Sequence, residues 1–333
     1  MSDSDVATRA PESDASQSNN NNNNNTTTTT TPPNPGLSDH CTSDRPTPVG
    51  QASTGEITKL NDINVYISKP ADYPHTPARL LLLLTGGTGL HSVNNQIQAD
   101  RFASEGYLVV MPDLFSGDPA PNSRAAAEVA AESAGSGSLI DVFKVKAVEA
   151  AKSFMIDMWL ARHTEEKVLP ILHKVLDGAR DEFADAVAHG GGVYAVGYCF
   201  GARYVLLLAA ERPAAAGGPG GEGRDDEEAS RPKTDGPQIK AGALAHATLV
   251  SRNDFVGLKA PLSVVCVEDD PLFPDEVRMA GEDYMNQHGV EHEVQVYPGV
   301  PHGFAVVGEY QDANIKEAQA TAFEQMLKWI NEH

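Results

Sequence analysis

The stretch Val193-Tyr194-Ala195-Val196-Gly197-Tyr198-Cys199-Phe200-Gly201-Ala202 decides how this chain folds. A short apolar run, Val193 to Val196, leads into a turn with glycines on either side of a cysteine. Residues Ala202 to Glu211 then have helical character. Strand, tight turn and helix in that order describe a nucleophile elbow, here with cysteine at its tip. The glycines have a steric role: the turn strains the backbone of the tip residue, and side chains at either flank would crowd the adjoining strand and helix. A thiol at a helix N-terminus is favoured as thiolate by the helix dipole, and the Phe200 amide points to where an oxyanion would develop. Cys199 is the candidate nucleophile. The plainer alternative is a buried structural cysteine in a glycine-rich turn.

Outward from the elbow, short apolar runs alternate with longer segments of helical period, as in a mainly parallel sheet covered by helices on both faces. The predicted strands are Asn64 to Ile67, Leu80 to Leu84, Tyr107 to Met111, Val193 to Val196, Ala241 to Ala245, Leu262 to Val267 and Glu293 to Tyr297. Helices are predicted over Leu139 to Arg162, Glu165 to Ala188 and Ile315 to Ile330. The last carries Ile315, Ala318, Ala322, Phe323, Met326 and Trp329 on one stripe. Trp159 and Trp329 lie within such stripes and read as core.

An elbow needs an acid and a histidine after it, in that order. The run Leu262 to Val267 ends in Glu268-Asp269-Asp270-Pro271-Leu272-Phe273-Pro274, a carboxylate cluster at the edge of a parallel sheet where ligand groups gather. After the run Glu293 to Tyr297 comes Pro298-Gly299-Val300-Pro301-His302-Gly303-Phe304, a histidine in a loop. His302 is thus the candidate base, with one carboxylate of the cluster to orient it. His246, at the end of another strand, could line a pocket but reads more simply as a structural histidine.

The chain resembles the dienelactone hydrolases, and more narrowly their fungal-type members, over about residues 55–333. The resemblance rests on the run from Leu80 through Thr85-Gly86-Gly87-Thr88-Gly89, on Met111-Pro112-Asp113-Leu114-Phe115-Ser116-Gly117-Asp118, on the elbow, and on Pro301-His302-Gly303-Phe304-Ala305. It implies an α/β-hydrolase fold and a Cys199, His302, Asp270 triad, with Asp269 as the alternative acid. It implies too that the Gly87 amide joins Phe200 as the second oxyanion donor. A small ester, lactone or thioester is the expected substrate, through an acyl-cysteine intermediate and with no cofactor or metal. Two departures bear on substrate. Bacterial members carry a glutamate in the loop after the early strand that helps to generate the thiolate; this chain has Thr85 to Gly89 there, leaving that work to His302. They also hold the dienelactone carboxylate with arginines, one shortly after the histidine, where Val306 and Val307 stand here. Losing one charge-assisted hydrogen bond, worth about 1.5–3 kcal/mol, weakens affinity by about ten to a hundredfold. Dienelactone is therefore not the expected physiological substrate. Arg203, just past the elbow, could replace the missing arginine, although a solvated helix residue is the simpler reading.

Composition frames the rest. Of 333 residues, those from 1 to 52 hold an asparagine run, a run of six threonines and several prolines, and read as a disordered low-complexity tail before an enzyme domain at 53–333. A small-residue and charged stretch at about 213–238 reads as an inserted flexible loop. A net charge of −21 gives no basic face for nucleic acid, and no apolar run is long enough for a membrane span. The start lacks a signal or transit pattern, and three widely spaced cysteines suit a reducing compartment, so a cytoplasmic location is expected. Nothing indicates an oligomeric state. Two other classes compete with the enzyme: a catalytically weak ligand-binding or sensor protein on the same fold, and a thiol redox sensor using Cys199. The second lacks an evident resolving partner, because Cys41 falls in the tail and Cys266 in a predicted buried strand.

Overall fold

Leu80 to Leu84 lie at the centre of the fold because an unbroken apolar strand is stable only where both sheet faces are covered. In the computed structural model, residues 37, 39–122, 139–213 and 234–333 are described, with the backbone alone at 39–40, 139–149, 212–213 and 234–235. Eight strands form one sheet: β1 (Glu56–Leu60), β2 (Ile63–Ser68), β3 (Arg79–Leu84), β4 (Tyr107–Pro112), β5 (Val193–Tyr198), β6 (Ala241–Ala245), β7 (Leu262–Val267) and β8 (His292–Tyr297). Their order is β1-β2-β4-β3-β5-β6-β7-β8. The pairings from β4 to β8 are parallel, while β2 is antiparallel to both β1 and β4.

The period of two in β3 divides the core. Leu80, Leu82 and Leu84 face a cluster with Trp159, Leu172, Val205 and Met285, whereas Leu81 and Leu83 face one with Phe102, Phe323, Met326 and Ile330. Helices α2 (Leu139–Arg162), α3 (Glu165–Glu182), α4 (Ala184–Gly190), α5 (Phe200–Ala209) and α6 (Asp275–His288) contribute to the first layer. The second is built by α1 (Val93–Ser104) and α7 (Ala313–Glu332). Ala322, Phe323, Met326 and Trp329 of the α7 stripe are buried as predicted, and Trp159 is fully buried.

Several sequence expectations are corrected. The single helix expected over Glu165 to Ala188 breaks at Phe183 (φ −121°, ψ 42°), whose ring is buried. Strand β1 and helices α1 and α6 were not anticipated. β1 is an edge strand exposed over four of its five residues, so it has no apolar alternation. α1 buries Asn94, Asn95, Gln96 and Gln98 where a periodicity search expects apolar residues. A two-residue ladder, Arg212–Pro213 with Thr234–Asp235, flanks the stretch expected to be an inserted loop, of which residues 214–233 lie outside the described residues. Of the expected tail, 1–36 and 38 lie outside them too. The boundary at 52 does not hold, however: residues 39–42 form a helical turn, and Leu37 and Cys41 are buried. Among the described residues no helix is long and apolar enough to cross a membrane.

Candidate active site

The elbow puts a cysteine where most residues cannot go. Cys199 adopts φ 50°, ψ −113°, sparsely populated for a residue with a side chain and costing about 1–3 kcal/mol. Backbone hydrogen bonds hold it there: Cys199 N donates to Ala245 O (3.1 Å), Gly201 N to Thr85 O (3.0 Å) and Ala202 N to Cys199 O (3.2 Å). The glycine requirement is steric, as expected. A Cβ on Gly197 would lie 2.6 Å from Val205 Cγ2, and one on Gly201 would collide with the Leu84 carbonyl.

β7 and β8 end at the same sheet edge and deliver the other two residues. Asp270, just beyond β7, accepts a hydrogen bond from the Leu272 amide at Oδ1 (3.0 Å) and meets His302 Nδ1 at Oδ2 (2.7 Å). Both side chains are buried. Asp269, the alternative acid, is exposed. The second nitrogen, His302 Nε2, is buried on the side of the Cys41 sulfur. The amides of Phe200 and Gly87 both face the Cys199 sulfur. The two donors suggested by the elbow and by the resemblance therefore converge on the nucleophile candidate.

Gln98, which the sequence gave no reason to single out, links these loops. Its Nε2 donates to the Tyr198 hydroxyl (2.9 Å) and its Oε1 accepts from the Val307 amide (3.0 Å), tying the strand before the cysteine to the loop after the histidine. Trp159 and Phe115 pack on the Phe200 ring with centroids 5.4 and 5.2 Å away, and so support the turn from behind. His246 lies beside His302, ring centroids 5.0 Å apart, and lines the cavity. Arg203 takes no part: it pairs with Asp254 (2.9 Å) and Glu165 (2.7 Å), so it is neither solvated nor directed at the cavity.

The unexpected resident is Cys41. Its Sγ lies 2.9 Å from Cys199 Sγ, and the two sulfurs and a ring nitrogen of His302 are all within 4.8 Å of one another. The cysteines are not joined as a disulfide. Two thiols and an imidazole are also a donor set for a soft metal ion, the one such group among the described residues. Residues 41–45 form a cover over the elbow. The cavity beneath, lined by Cys41, Asp44, Arg45, Cys199 and His246 among others, is about 30 Å³. Arg45 supplies a cation to this lining, with its guanidinium 4.8 Å from the Tyr310 ring centroid. In sequence, the only pointer to this segment was that the asparagine and threonine runs end before Leu37.

Burial sets the electrostatics. It pushes the Cys199 thiol well above its ordinary value; the hydrogen bond with Cys41 adds to this, while the Phe200 and Gly87 amides oppose it. For His302, burial acts downward, but the negative charge of the Cys41 sulfur and the bond to Asp270 prevail and raise it to about 9.

A sheet of this topology with cysteine, aspartate and histidine gathered at one edge defines an α/β-hydrolase. The profile of the dienelactone hydrolase family matches residues 63–333, and the chain belongs to that family of ester and lactone hydrolases. Among similar curated proteins, Hydrolase pyvD of Aspergillus violaceofuscus is 30% identical over 279 residues, 84% of this chain and 90% of that protein. Dienlactone hydrolase 1 of Gibberella moniliformis is 26% identical over 84% of this chain and 87% of its own. A thermophilic esterase of Thermogutta terrifontis, Est2, shares the fold with a TM-score of 0.54 at 15% identity, covering 82% of this chain and 92% of that one.

Proposed function

We propose that this hydrolase cleaves small esters, lactones or thioesters through an acyl-cysteine intermediate on Cys199. The observation that carries the reading is the convergence at one elbow. A strained cysteine faces two backbone amides, and a buried histidine fixed by Asp270 lies within 4.8 Å of it.

Once the 41–45 cover shifts and withdraws the Cys41 sulfur that keeps His302 protonated, His302 takes the Cys199 proton, and the thiolate sulfur bonds to the substrate carbonyl carbon. The negative charge moves to the carbonyl oxygen, which the Phe200 and Gly87 amides stabilise. Collapse breaks the bond to the leaving oxygen or sulfur, which takes the proton from His302. Water then enters, gives a proton to His302 and attacks the thioester carbon, and loss of the thiolate releases the carboxylic acid. Asp270 holds the imidazole in one tautomer and steadies its charged form throughout. The cycle uses no metal or cofactor.

A cavity of about 30 Å³ is far smaller than an ordinary ligand pocket, so the 41–45 cover has to shift for an acyl group to enter. Arg45 then stands at the rim, where it suits an acyl chain bearing a carboxylate. The test is turnover of a panel of small esters, lactones and thioesters, dienelactone included. Wild type should hydrolyse some of them, and Cys199→Ala should be slower by roughly a thousandfold or more. Wild-type turnover by the variant would remove the proposal.

A further inference from the structure

The second cysteine has no part in that cycle, and it stands where the acyl carbon would have to sit. Resting on the reading of Cys199 as the reactive thiol, we propose that Cys41 and Cys199 are an oxidation site: hydrogen peroxide converts them to an intramolecular disulfide that shuts the hydrolase, and thiol reductants reopen it.

The geometry requires little movement. The sulfurs are 2.9 Å apart across 158 residues of chain. The backbone is shaped on both sides to admit the pair. A Cβ on Gly87 would lie 2.6 Å from the Cys41 carbonyl oxygen, and one on Gly86 would lie 3.2 Å from Cys199 Cβ. The segment bearing Cys41 is pinned at every step. Ser43 Oγ donates to Asn122 Oδ1 (2.7 Å), Ser92 Oγ to Asp44 Oδ1 (2.9 Å), Asn94 Nδ2 to Arg45 O (2.7 Å) and Glu309 N to Pro46 O (2.8 Å). Cys41 is thus delivered by a folded segment, which gives Cys199 the disulfide partner that a disordered tail could not.

The chemistry balances with the groups present. The Cys41 sulfur, negatively charged beside protonated His302, attacks one oxygen of the peroxide. The O–O bond breaks, sulfenic acid forms at Cys41, and the departing hydroxide takes the His302 proton as water. The Cys199 sulfur, whose thiol donates to Cys41, then attacks the Cys41 sulfur, the S–O bond breaks, and hydroxide leaves with the Cys199 proton as a second water. The two thiols lose two electrons, and the peroxide gains them. The cavity of about 30 Å³ has room for a molecule of the size of water or peroxide but not for an acyl substrate. Cys266 is a poor competitor, since it is buried in β7 and stands apart from the two sulfurs gathered at His302.

The test uses the full chain, reduced, freed of metal by a chelator and exposed to hydrogen peroxide before alkylation. Expected are a loss of two hydrogens by intact mass and a Cys41–Cys199 crosslinked peptide. Hydrolysis should fall to background and return with dithiothreitol. In Cys41→Ser, Cys199 should instead take up two oxygens as sulfinic acid, and dithiothreitol should not restore activity. Sulfinic acid at Cys199 of the wild type without a crosslink would overturn the proposal, as would recovery of Cys41→Ser equal to that of wild type. A crosslink that leaves hydrolysis intact would overturn the shut-off and, separately, the nucleophile reading beneath it.

Discussion

Two pieces of chain meet over Cys199, and they are held in opposite ways. The elbow is fixed by backbone: its hydrogen bonds run to the sheet, and its glycines leave no room for alternatives. The cover at 41–46 is fixed mainly by side chains, namely Ser43, Ser92, Asn94 and the Arg45 contact with Tyr310. Each such bond contributes about 1 kcal/mol net, so the cover can open while the elbow stays rigid. The difference fits the proposed cycle, in which the framework would hold the reacting groups and the cover would decide what reaches them.

The comparison is tested hardest on the framework side. Asp270→Asn keeps the shape but presents an amide to His302 Nδ1, so kcat should fall by roughly 10³–10⁴. A drop of less than about tenfold would show that His302 does not depend on this carboxylate. Gly201→Ala should cost at least about 1–3 kcal/mol, because its methyl meets the Leu84 carbonyl, and denaturant titration would measure it. An unchanged midpoint would mean that the elbow yields.

Buried His302 gives a pH signature. His302 is raised from 6.5 to about 9. The stability it contributes is complete below about pH 6.5 and disappears as pH rises through about 9, an effect on the order of 3 kcal/mol. Unfolding free energy should decline across that window in wild type and decline less in His302→Gln. Parallel curves would contradict the raised His302. The smallest effect belongs to the cover. Asn94→Ala removes the bond to Arg45 O and should lower stability by about 1 kcal/mol while speeding alkylation of Cys199 by roughly fivefold. Equal alkylation rates would mean that the cover does not gate the thiol.

The same contrast explains what could be read from sequence. The elbow, the order Cys199, a carboxylate of the cluster 268–270, His302, and seven of the eight main-sheet strands follow from local rules of steric fit and apolar patterning. Asp270 was favoured over Asp269 only through the resemblance; burial and the 2.7 Å contact now distinguish them. Helix α1 was missed because its asparagines and glutamines are buried for hydrogen bonding, as Gln98 is between Tyr198 and Val307, and this leaves no apolar stripe. Cys41 and Arg45 were missed for a related reason. Their segment lacks periodicity, borders a low-complexity run, and is placed by partners 48 to 265 positions away in the chain, such as Ser92 and Tyr310. Non-local side-chain contacts of that kind leave no mark on neighbouring residues.

The most direct measurement is rapid quenching of the enzyme with a turned-over ester, followed by peptide mass mapping. The account predicts an acyl group on Cys199 that appears within the first turnover, builds up in His302→Ala if acylation still proceeds there, and is absent from Cys199→Ala together with activity. An acyl group on another residue, or full turnover with Cys199 removed, would contradict it.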